Sequence, residues 1–208
     1  MENGRGGSKL DIGAIYKAVE IIQKGGVVVY PTDTCYGIGC DATNPDAVEK
    51  IFEIKGREKD KPLPLIASSI EMIEKYVFLD ERAIILYNAF PGISVSLRKK
   101  GNLVPDSVNK EKLAFRIPSN KISRKLSELS NKPIISTSAN KSGDPSPYSI
   151  GQVKSSLKDF LDKIDFFIDG GILEANPPST IVDLVEGKIG RIGKIKEEQI
   201  LELLGGKL

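Results

Sequence analysis

The chain has 208 residues, of which 40% are apolar and 28% are charged, and its formal net charge is +2. These values suit one globular domain with a full hydrophobic core, and the charge is too small to favour nucleic-acid binding over the whole surface. Because the sequence contains no histidine, Ser-His-Asp catalysis, Cys-His catalysis and His-ligated metal sites are excluded. The two cysteines, Cys35 and Cys40, cannot complete a zinc site and are expected to be reduced structural thiols.

The first residues are polar and rich in glycine, and we expect residues 1–9 to form a flexible tail before a single domain over residues 10–208. No apolar run approaches the roughly 20 residues that span a membrane, and the N-terminus lacks a signal-peptide pattern. We therefore expect a cytoplasmic protein with no membrane partner.

The first half of the chain alternates predicted helices with predicted strands. Apolar residues at helical spacing predict a helix over 12–22, which Gly25 and Gly26 end, and a buried strand over 27–30 follows. Asn44 and Pro45 start a helix that ends at Gly56. A strand over 63–67 and helices over 69–76 and 80–90 come next.

Strands cluster in the second half of the chain. Alternation and apolar runs predict strands over 94–99, 112–117, 133–138, 166–168, 180–184 and 188–192. Ser119 is predicted to cap a helix that runs to about Leu129, a further helix covers 153–161, and a closing helix covers 197–204. Together the elements predict an α/β fold, a twisted open sheet of mixed parallel and antiparallel strands with helices on its faces.

One glycine motif resembles a cofactor fingerprint but is predicted to be fortuitous. Residues 37–42 read GIGCDA and match G-x-G-x-x-A. A dinucleotide site needs a helix that opens directly from the motif, whereas here the segment Thr43-Asn44-Pro45 intervenes and the predicted helix starts after the motif. The sequence also contains no P-loop pattern.

Hydroxyl groups and a carboxylate follow the first buried strand, in the segment YPTDTCYG over 30–37. Ligands in open α/β sheets bind beyond the carboxyl ends of strands, so this segment is a candidate binding loop. The alternative is a capped turn in which Thr and Asp satisfy local backbone donors.

Cations and hydroxyls cluster at three other predicted element ends. Lys55, Arg57, Lys59 and Lys61 follow a helix and suit either a polyphosphate clamp or a solvated run that balances the helix dipole. Arg116 faces opposite to its apolar neighbours in its strand, toward either solvent or a cleft that binds a carboxylate. The polar segments 136–140 and 144–147 form either nucleotide-binding loops or ordinary turns.

Taken together and in this order, these segments resemble the Sua5/YrdC family, and the similarity covers nearly the whole chain. The matching segments are YPTDTCYG at 30–37, KGR at 55–57, KPL at 61–63, FRIP at 115–118, STSAN at 136–140, DPSP at 144–147, PSTIVD at 178–183 and GRIG at 190–193. The chain resembles the short YrdC-like form, without the additional C-terminal domain of longer Sua5 members. Cys35 stands where an aliphatic residue is more usual.

The resemblance implies a YrdC-like fold around a concave cationic cavity and a nucleotidyltransferase activity. Such an enzyme forms L-threonylcarbamoyl-AMP and pyrophosphate from L-threonine, bicarbonate and ATP, with Mg²⁺ held largely by the ATP. The product is used for N6-threonylcarbamoyladenosine at position 37 of tRNA. The implied partners are a downstream threonylcarbamoyl transferase complex and, indirectly, tRNA.

The resemblance also assigns roles to particular residues of this chain. The catalytic residues implied are Lys55 and Arg57, which would hold the ATP phosphates. The residues implied to bind threonine are Thr32, Arg116, which would pair with its carboxylate, Ser136 and Ser179. Those implied to bind ATP, besides Lys55 and Arg57, are Ser138, Asn140, Ser146 and Arg191. No metal ligands are predicted from the protein.

Two alternatives remain open at this point. A carbamoyl-adenylate-forming module, as in hydrogenase maturation, uses the same fold, but such chains carry additional acylphosphatase and zinc-finger parts. This chain has two cysteines and no room for either part. A non-catalytic RNA-binding module is the other alternative, although the net charge and the lack of an aromatic and basic stripe count against it.

Overall fold

The computed structural model describes residues 11–208, so the predicted tail over 1–9 lies outside the described residues. Within 11–208 helices and strands are interspersed along the chain, and the strands cluster toward its end, as predicted. The helices are α1 Ile12–Gln23, α2 Pro45–Lys55, α3 Ile70–Glu74, α4 Glu81–Ala89, α5 Lys121–Ser130, α6 Ile150–Ser156, a 3₁₀-helix Lys158–Lys163 and α7 Glu197–Leu203.

The strands are short, and all but one were predicted as elements. They are β1 Val28–Pro31, β2 Tyr36–Gly39, β3 Leu65–Ile66, β4 Ser94–Arg98, β5 Lys112–Arg116, β6 Ile134–Ile135, β7 Thr137–Ser138, β8 Phe166–Phe167, β9 Ile181–Asp183 and β10 Lys188–Arg191. The exception is β2, because the glycine-rich sequence that forms it gave no strand signal.

The strands form two sheets of mixed direction. The smaller sheet has the order β7-β2-β1-β8 and the larger one the order β10-β9-β4-β5-β3-β6. Strand β1 is parallel to β8 and antiparallel to β2, whereas β4 is antiparallel to β5 and parallel to β9. The prediction of a mixed α/β fold is confirmed, and the structure adds the division into two sheets.

The chain passes from one sheet to the other at Ser136. A single strand was predicted over 133–138, but β6 pairs with β3 of the larger sheet and β7 pairs with β2 of the smaller sheet. The Ser136 N–H donates to the Pro64 carbonyl at 2.9 Å, and the Ile135 N–H donates to the Cys40 carbonyl at 2.9 Å. These bonds hold the two sheets together at the strand switch.

Side-chain caps fix the helix ends and correct one prediction. Asn44 accepts hydrogen bonds from the backbone of Asp46 and Ala47, and Gly56 ends α2 in a left-handed conformation, as predicted. Helix α5 is capped by Asn120 and not by Ser119. The prediction of Ser119 was wrong because its hydroxyl donates to the Asp33 carboxylate instead. The helix predicted over 153–161 is likewise interrupted at Leu157 and continues as the 3₁₀-helix.

Two hydrophobic clusters pack against the sheets. The smaller cluster joins α1 and α5 to β1, through Ile15 and Ile22 of α1, Leu126 of α5 and Val28 of β1. The larger cluster covers the remaining helices and the buried face of β4 and β5. Between the sheets a cavity is left, which Leu63 and Leu65 of the larger cluster and Ile66 of the smaller one line together with polar residues.

Candidate functional site

A cavity of about 570 Å³ is lined by residues from both sheets. The smaller sheet contributes Gly37 of β2 and Ser138 of β7, while the larger sheet contributes alternate residues of its central strands. This volume is within the range of about 300–1,000 Å³ that is typical of small-molecule sites.

The larger sheet forms a polar floor to this cavity. On β5 the buried residues Leu113 and Phe115 face the core, and the partly exposed residues Lys112, Ala114 and Arg116 face the cavity. The register places Ser94 opposite Arg116 and Ser96 opposite Ala114. Strand alternation therefore aims Arg116 into the cavity, which was one of the two orientations considered from the sequence.

Cations outnumber carboxylates among the residues that line the cavity. The lining contains Arg57, Lys112, Arg116 and Arg191 but only one carboxylate, that of Asp183. Asp183 accepts a hydrogen bond of 2.5 Å from Lys112, so this pair is largely self-compensated. The guanidinium groups of Arg57 and Arg191 pair with no carboxylate of residues 11–208 and remain to attract anionic ligands.

Eight of the ten predicted site residues line this one cavity. They are Thr32, Arg57, Arg116, Ser136, Ser138, Ser146, Ser179 and Arg191. The other two, Lys55 and Asn140, are buried beside it. Residues that are up to 159 positions apart in the sequence, from Thr32 to Arg191, are thus brought together around one cavity.

Lys55 is buried, with 2% of its surface exposed, and lies beneath the 138–140 segment. Its ammonium group donates to the carbonyl of Ser138 at 2.6 Å and to that of Asn140 at 2.8 Å. Burial, followed by the nearby charge of Arg57, lowers the pKa of Lys55 to about 8. Within residues 11–208 these two carbonyls are the acceptors of its ammonium group.

Asn140 braces the neighbouring loop. Its side-chain amide donates to the carbonyl of Asp144 at 2.6 Å, while its Oδ1 atom is buried and finds no donor in the described part of the chain. The loop it supports leads to Ser146, which lines the cavity. In this structure Asn140 therefore holds the loop and does not itself reach the cavity.

The Thr32 turn is both a capped turn and part of the cavity wall. The Thr32 hydroxyl donates to the Cys35 carbonyl at 2.7 Å and accepts from the Thr34 N–H at 3.1 Å. Cys35 also lines the cavity, and burial raises the pKa of its thiol. Cys35 and Cys40 are both free and buried, in agreement with the predicted reduced thiols.

Asp33 pairs with Arg116 at one end of the cavity. An Arg116 Nη2 N–H donates to Asp33 Oδ2, and the two side chains are 14% and 17% exposed. The Arg116 Nε atom is buried and has no acceptor among residues 11–208. The guanidinium therefore keeps hydrogen-bonding capacity beyond its contact with Asp33.

Arg191 is held by the segment that contains Ser179. Its Nε and Nη2 atoms donate to the Ser179 carbonyl at 3.0 and 2.9 Å, and Nη2 also lies 3.2 Å from the Ser179 hydroxyl. A β-carbon at Gly193 would lie 1.9 Å from the Pro178 carbonyl oxygen, so only glycine allows this close approach. Burial, and then the charge of Arg116, lower the pKa of Arg191.

Sequence reasoning missed several residues of the cavity. Ser94, Ser96 and Lys112 lie on the same face as Arg116, and the alternation along β4 and β5 was a signal that could have found them. Asn176 gave no signal, because it lies in a loop and is placed by a hydrogen bond of 3.2 Å to the Asp33 carbonyl.

Residues 11–208 contain neither a cluster of metal-ligating side chains nor a helix that could span a membrane. No group of three or more His, Cys, Asp or Glu side chains there is arranged to hold a metal ion. Every helix in the same range is too short or too polar to cross a membrane.

The chain is similar in sequence to known proteins of one family. A model of the Sua5/YciO/YrdC family, described as "Telomere recombination", matches residues 20–193. The chain is 38% identical over 194 residues to a threonylcarbamoyl-AMP synthase of Pyrococcus abyssi, and this match covers 90% of the chain and 56% of that protein. It is 32% identical over 188 residues to a threonylcarbamoyl-AMP synthase of Pseudoalteromonas translucida, covering 87% of the chain and 98% of that protein.

The fold is similar to that of a solved structure with an amino acid bound. The crystal structure of P. abyssi Sua5 complexed with L-threonine superposes with a TM-score of 0.85 at 36% identity, over 93% of this chain and 58% of that one. The chain thus spans little more than half of the P. abyssi protein, but nearly all of the P. translucida relative.

Proposed function

Because the chain belongs to the Sua5/YciO/YrdC family, we propose that it is an L-threonylcarbamoyladenylate synthase. It joins L-threonine, bicarbonate and ATP into threonylcarbamoyl-AMP and releases pyrophosphate. The relatives that bear this activity in their names, and the bound L-threonine in P. abyssi Sua5, support the proposal.

The observation that carries the proposal is the composition of the cavity wall. Arg57 and Arg191 donate only to main-chain and hydroxyl oxygens of residues 11–208, so each can accept a phosphate as its counter-ion. Arg116 lies on the same wall beside the hydroxyl of Ser94. One cavity thus offers sites for both a polyphosphate and a carboxylate.

The reaction needs no protein nucleophile. The threonine amine adds to bicarbonate and water leaves, giving a carbamate. A carbamate oxygen then attacks the α-phosphorus of ATP, and the bond from that phosphorus to the bridging oxygen breaks to release pyrophosphate. The protein positions the reactants and stabilises negative charge, which agrees with a sequence that has no histidine.

The predicted residues take the following roles in this proposal. Arg57, Arg191 and the buried ammonium of Lys55 stabilise the phosphates, and Lys55 and Arg57 are the catalytic candidates. Arg116 pairs with the threonine carboxylate. The hydroxyls of Thr32, Ser136 and Ser179 face the amino acid and those of Ser138 and Ser146 face the nucleotide, while Asn140 holds the loop that leads to Ser146.

We propose that ATP binds as its Mg²⁺ complex and that the phosphates hold the ion. The cavity wall offers one carboxylate, that of Asp183, which already accepts from Lys112, so the described residues do not form a ligand set for Mg²⁺. We propose that the protein acts in the cytoplasm. The adenylate is passed to a threonylcarbamoyl transferase complex, which modifies tRNA, so tRNA is an indirect partner of this chain.

Product analysis tests the proposed function. Purified protein is incubated with ATP, Mg²⁺, L-threonine and bicarbonate, and the adenylate is detected by HPLC and mass spectrometry. We expect threonylcarbamoyl-AMP and pyrophosphate only when all substrates are present. Pyrophosphate release that is equal without threonine would overturn the proposed function, and tRNA binding without any adenylate would favour the RNA-binding alternative.

A matched pair of arginine variants strengthens this test. Arg57→Ala removes a cation from the cavity, whereas Arg82→Ala removes an arginine that pairs with Asp80 outside it. We expect adenylate formation to fall in Arg57→Ala and to persist in Arg82→Ala. An equal loss in both variants would argue against the assignment of this cavity.

A further inference from the structure

We propose that Asp33 is a positioning residue that fixes the guanidinium group of Arg116 for the substrate carboxylate. This inference rests on the proposed function and extends it, because Asp33 was assigned no role from the motif in which it lies. Asp33 acts through Arg116 and does not itself touch the amino acid.

The carboxylate of Asp33 joins two elements of the site. Its Oδ2 atom accepts from Arg116 at the end of β5. Its Oδ1 atom accepts from the Ser119 hydroxyl at 3.0 Å and from the Asn120 N–H, at the start of α5. The bonds to Oδ1 come from Ser119 and Asn120, so Asp33 is held in place by groups other than Arg116.

Arg116 depends on Asp33 for its orientation. Among residues 11–208 the Asp33 carboxylate is the one acceptor that its guanidinium reaches, and its Nε atom is buried without a partner. A β-carbon at Gly92 would lie 3.5 Å from Arg116 Nη2 and 3.7 Å from Asp33 Oδ2, so the backbone there covers the ion pair. Without Asp33, the long Arg116 side chain would lose its anchor and sample other rotamers.

The ion pair leaves donors for a ligand. A guanidinium has five N–H groups, and Asp33 accepts from Nη2 alone. A carboxylate that enters the cavity can therefore bind Arg116 while Asp33 stays in place through its bonds to Ser119 and Asn120. In the opposite arrangement Asp33 would occupy the place of the ligand carboxylate and compete with it, and the experiment below separates these two roles.

The first measurement uses Asp33→Asn, which keeps the shape of the side chain and an oxygen that can accept from Asn120. We expect KM for L-threonine to rise roughly 10- to 100-fold, because the Arg116 donors are misplaced, while KM for ATP changes by less than about 2-fold. Asp33→Glu restores a carboxylate and should recover part of the loss. Calorimetric titration with L-threonine provides a readout that does not depend on turnover.

The control and the coupling test distinguish positioning from a structural role. Asp80→Asn removes a carboxylate that likewise binds an arginine and a backbone N–H at a helix start, but outside the cavity, and it should leave both KM values unchanged. In an Arg116→Ala background, Asp33→Asn should add less than about a 2-fold effect, because residues that act as a unit are not additive.

Each contrary outcome is specific. An unchanged threonine KM in Asp33→Asn overturns the proposal, and tighter threonine binding overturns it in favour of competition. A parallel loss for threonine and ATP, or a full further loss in the Arg116→Ala background, assigns Asp33 a structural role instead. If the wild-type protein forms no threonine-dependent adenylate, the proposed function fails, whatever the variants do.

Discussion

Lys55 illustrates at the scale of one residue how burial prepares a cation for an anionic ligand. Its ammonium is held by two main-chain carbonyls and is not paired with any carboxylate of residues 11–208. The pKa of Lys55 is lowered from 10.5 to about 8, first by burial and then by Arg57. A phosphate bound nearby would restore the charged form, because an opposite charge favours ionisation.

The lowered pKa predicts that ATP binding is sensitive to pH. As the pH rises through about 8, Lys55 loses its charge, and we expect the dissociation constant of ATP to increase roughly 3- to 10-fold between pH 7.5 and 9.5. Calorimetric titration without threonine measures this effect. Lys55→Arg should flatten the dependence, since arginine stays charged, and Lys99→Arg, a buried cation outside the cavity, should not. The same pH dependence in Lys55→Arg would contradict this role of Lys55.

The same pKa has a consequence for stability with a defined sign. The unfolded chain keeps the Lys55 proton up to about pH 10.5, whereas the folded chain releases it near pH 8. Because the unfolded state binds more protons in this window, the contribution of Lys55 to the free energy of unfolding increases as the pH rises from 8 to 10.5.

At the scale of elements, the close approach of β2 and β6 joins the two sheets. A β-carbon at Gly39 would lie 1.9 Å from the Ile135 carbonyl oxygen, which belongs to the backbone and cannot rotate away. Gly39, the second glycine of the GIGCDA motif, is therefore needed for packing between the sheets. Helix α2 begins at Pro45 and so does not open directly from the motif.

Two glycine substitutions test this packing. Gly39→Ala should lower the free energy of unfolding by about 1–3 kcal/mol or more, because the sheets must separate to accept a methyl group. Gly151→Ala, at the start of α6, meets no atom closer than 3.8 Å and should raise it by about 0.5 kcal/mol through the unfolded chain. Urea unfolding curves measure both changes. A neutral Gly39→Ala would contradict a tight contact at this point.

At the scale of the whole molecule, the net charge is small, but positive charge is concentrated at the cavity. The formal net charge is +2, yet Arg57 and Arg191 of the cavity wall pair with no carboxylate of residues 11–208, whereas Lys112 and Arg116 are paired with Asp183 and Asp33. Low-dielectric walls that are lined by one sign of charge focus the electrostatic field on a ligand of the opposite sign. The distribution of charge therefore favours small anions such as nucleotides over a long nucleic acid.

This distribution predicts a measurable stabilisation by ATP. At 100 times its dissociation constant, ATP should stabilise the folded state by about 2.7 kcal/mol, which corresponds to a rise in Tm of roughly 5–10 °C for a chain of this size. The rise should shrink with added salt, because ions screen the partly exposed arginines.

Calorimetry of matched variants checks this stabilisation. The rise in Tm should be much smaller in an Arg57→Ala/Arg191→Ala double variant and unchanged in Arg82→Ala, which lies outside the cavity. An undiminished rise in the double variant would place ATP elsewhere on the molecule.

The sequence by itself determined the features that depend on neighbouring residues. Alternation along β5 separated Arg116 from Phe115, the Asn44 cap and Gly56 bounded α2, and the lack of histidine limited the chemistry. The predictions for β5 and α2 are confirmed because strand alternation and helix capping act over a few residues. The order of the motifs also indicated which polar segments meet, although it gave no distances.

The tertiary structure alone decided how distant segments are joined. Ser136 lies where the chain changes sheets, Ser119 gives up its predicted cap to bind Asp33, and Asp33 reaches Arg116 across 83 positions. Lys55 binds the carbonyls of Ser138 and Asn140 at a similar separation. No local pattern could give these contacts, because they arise only when packing of the two sheets brings distant backbone and side chains within hydrogen-bonding distance.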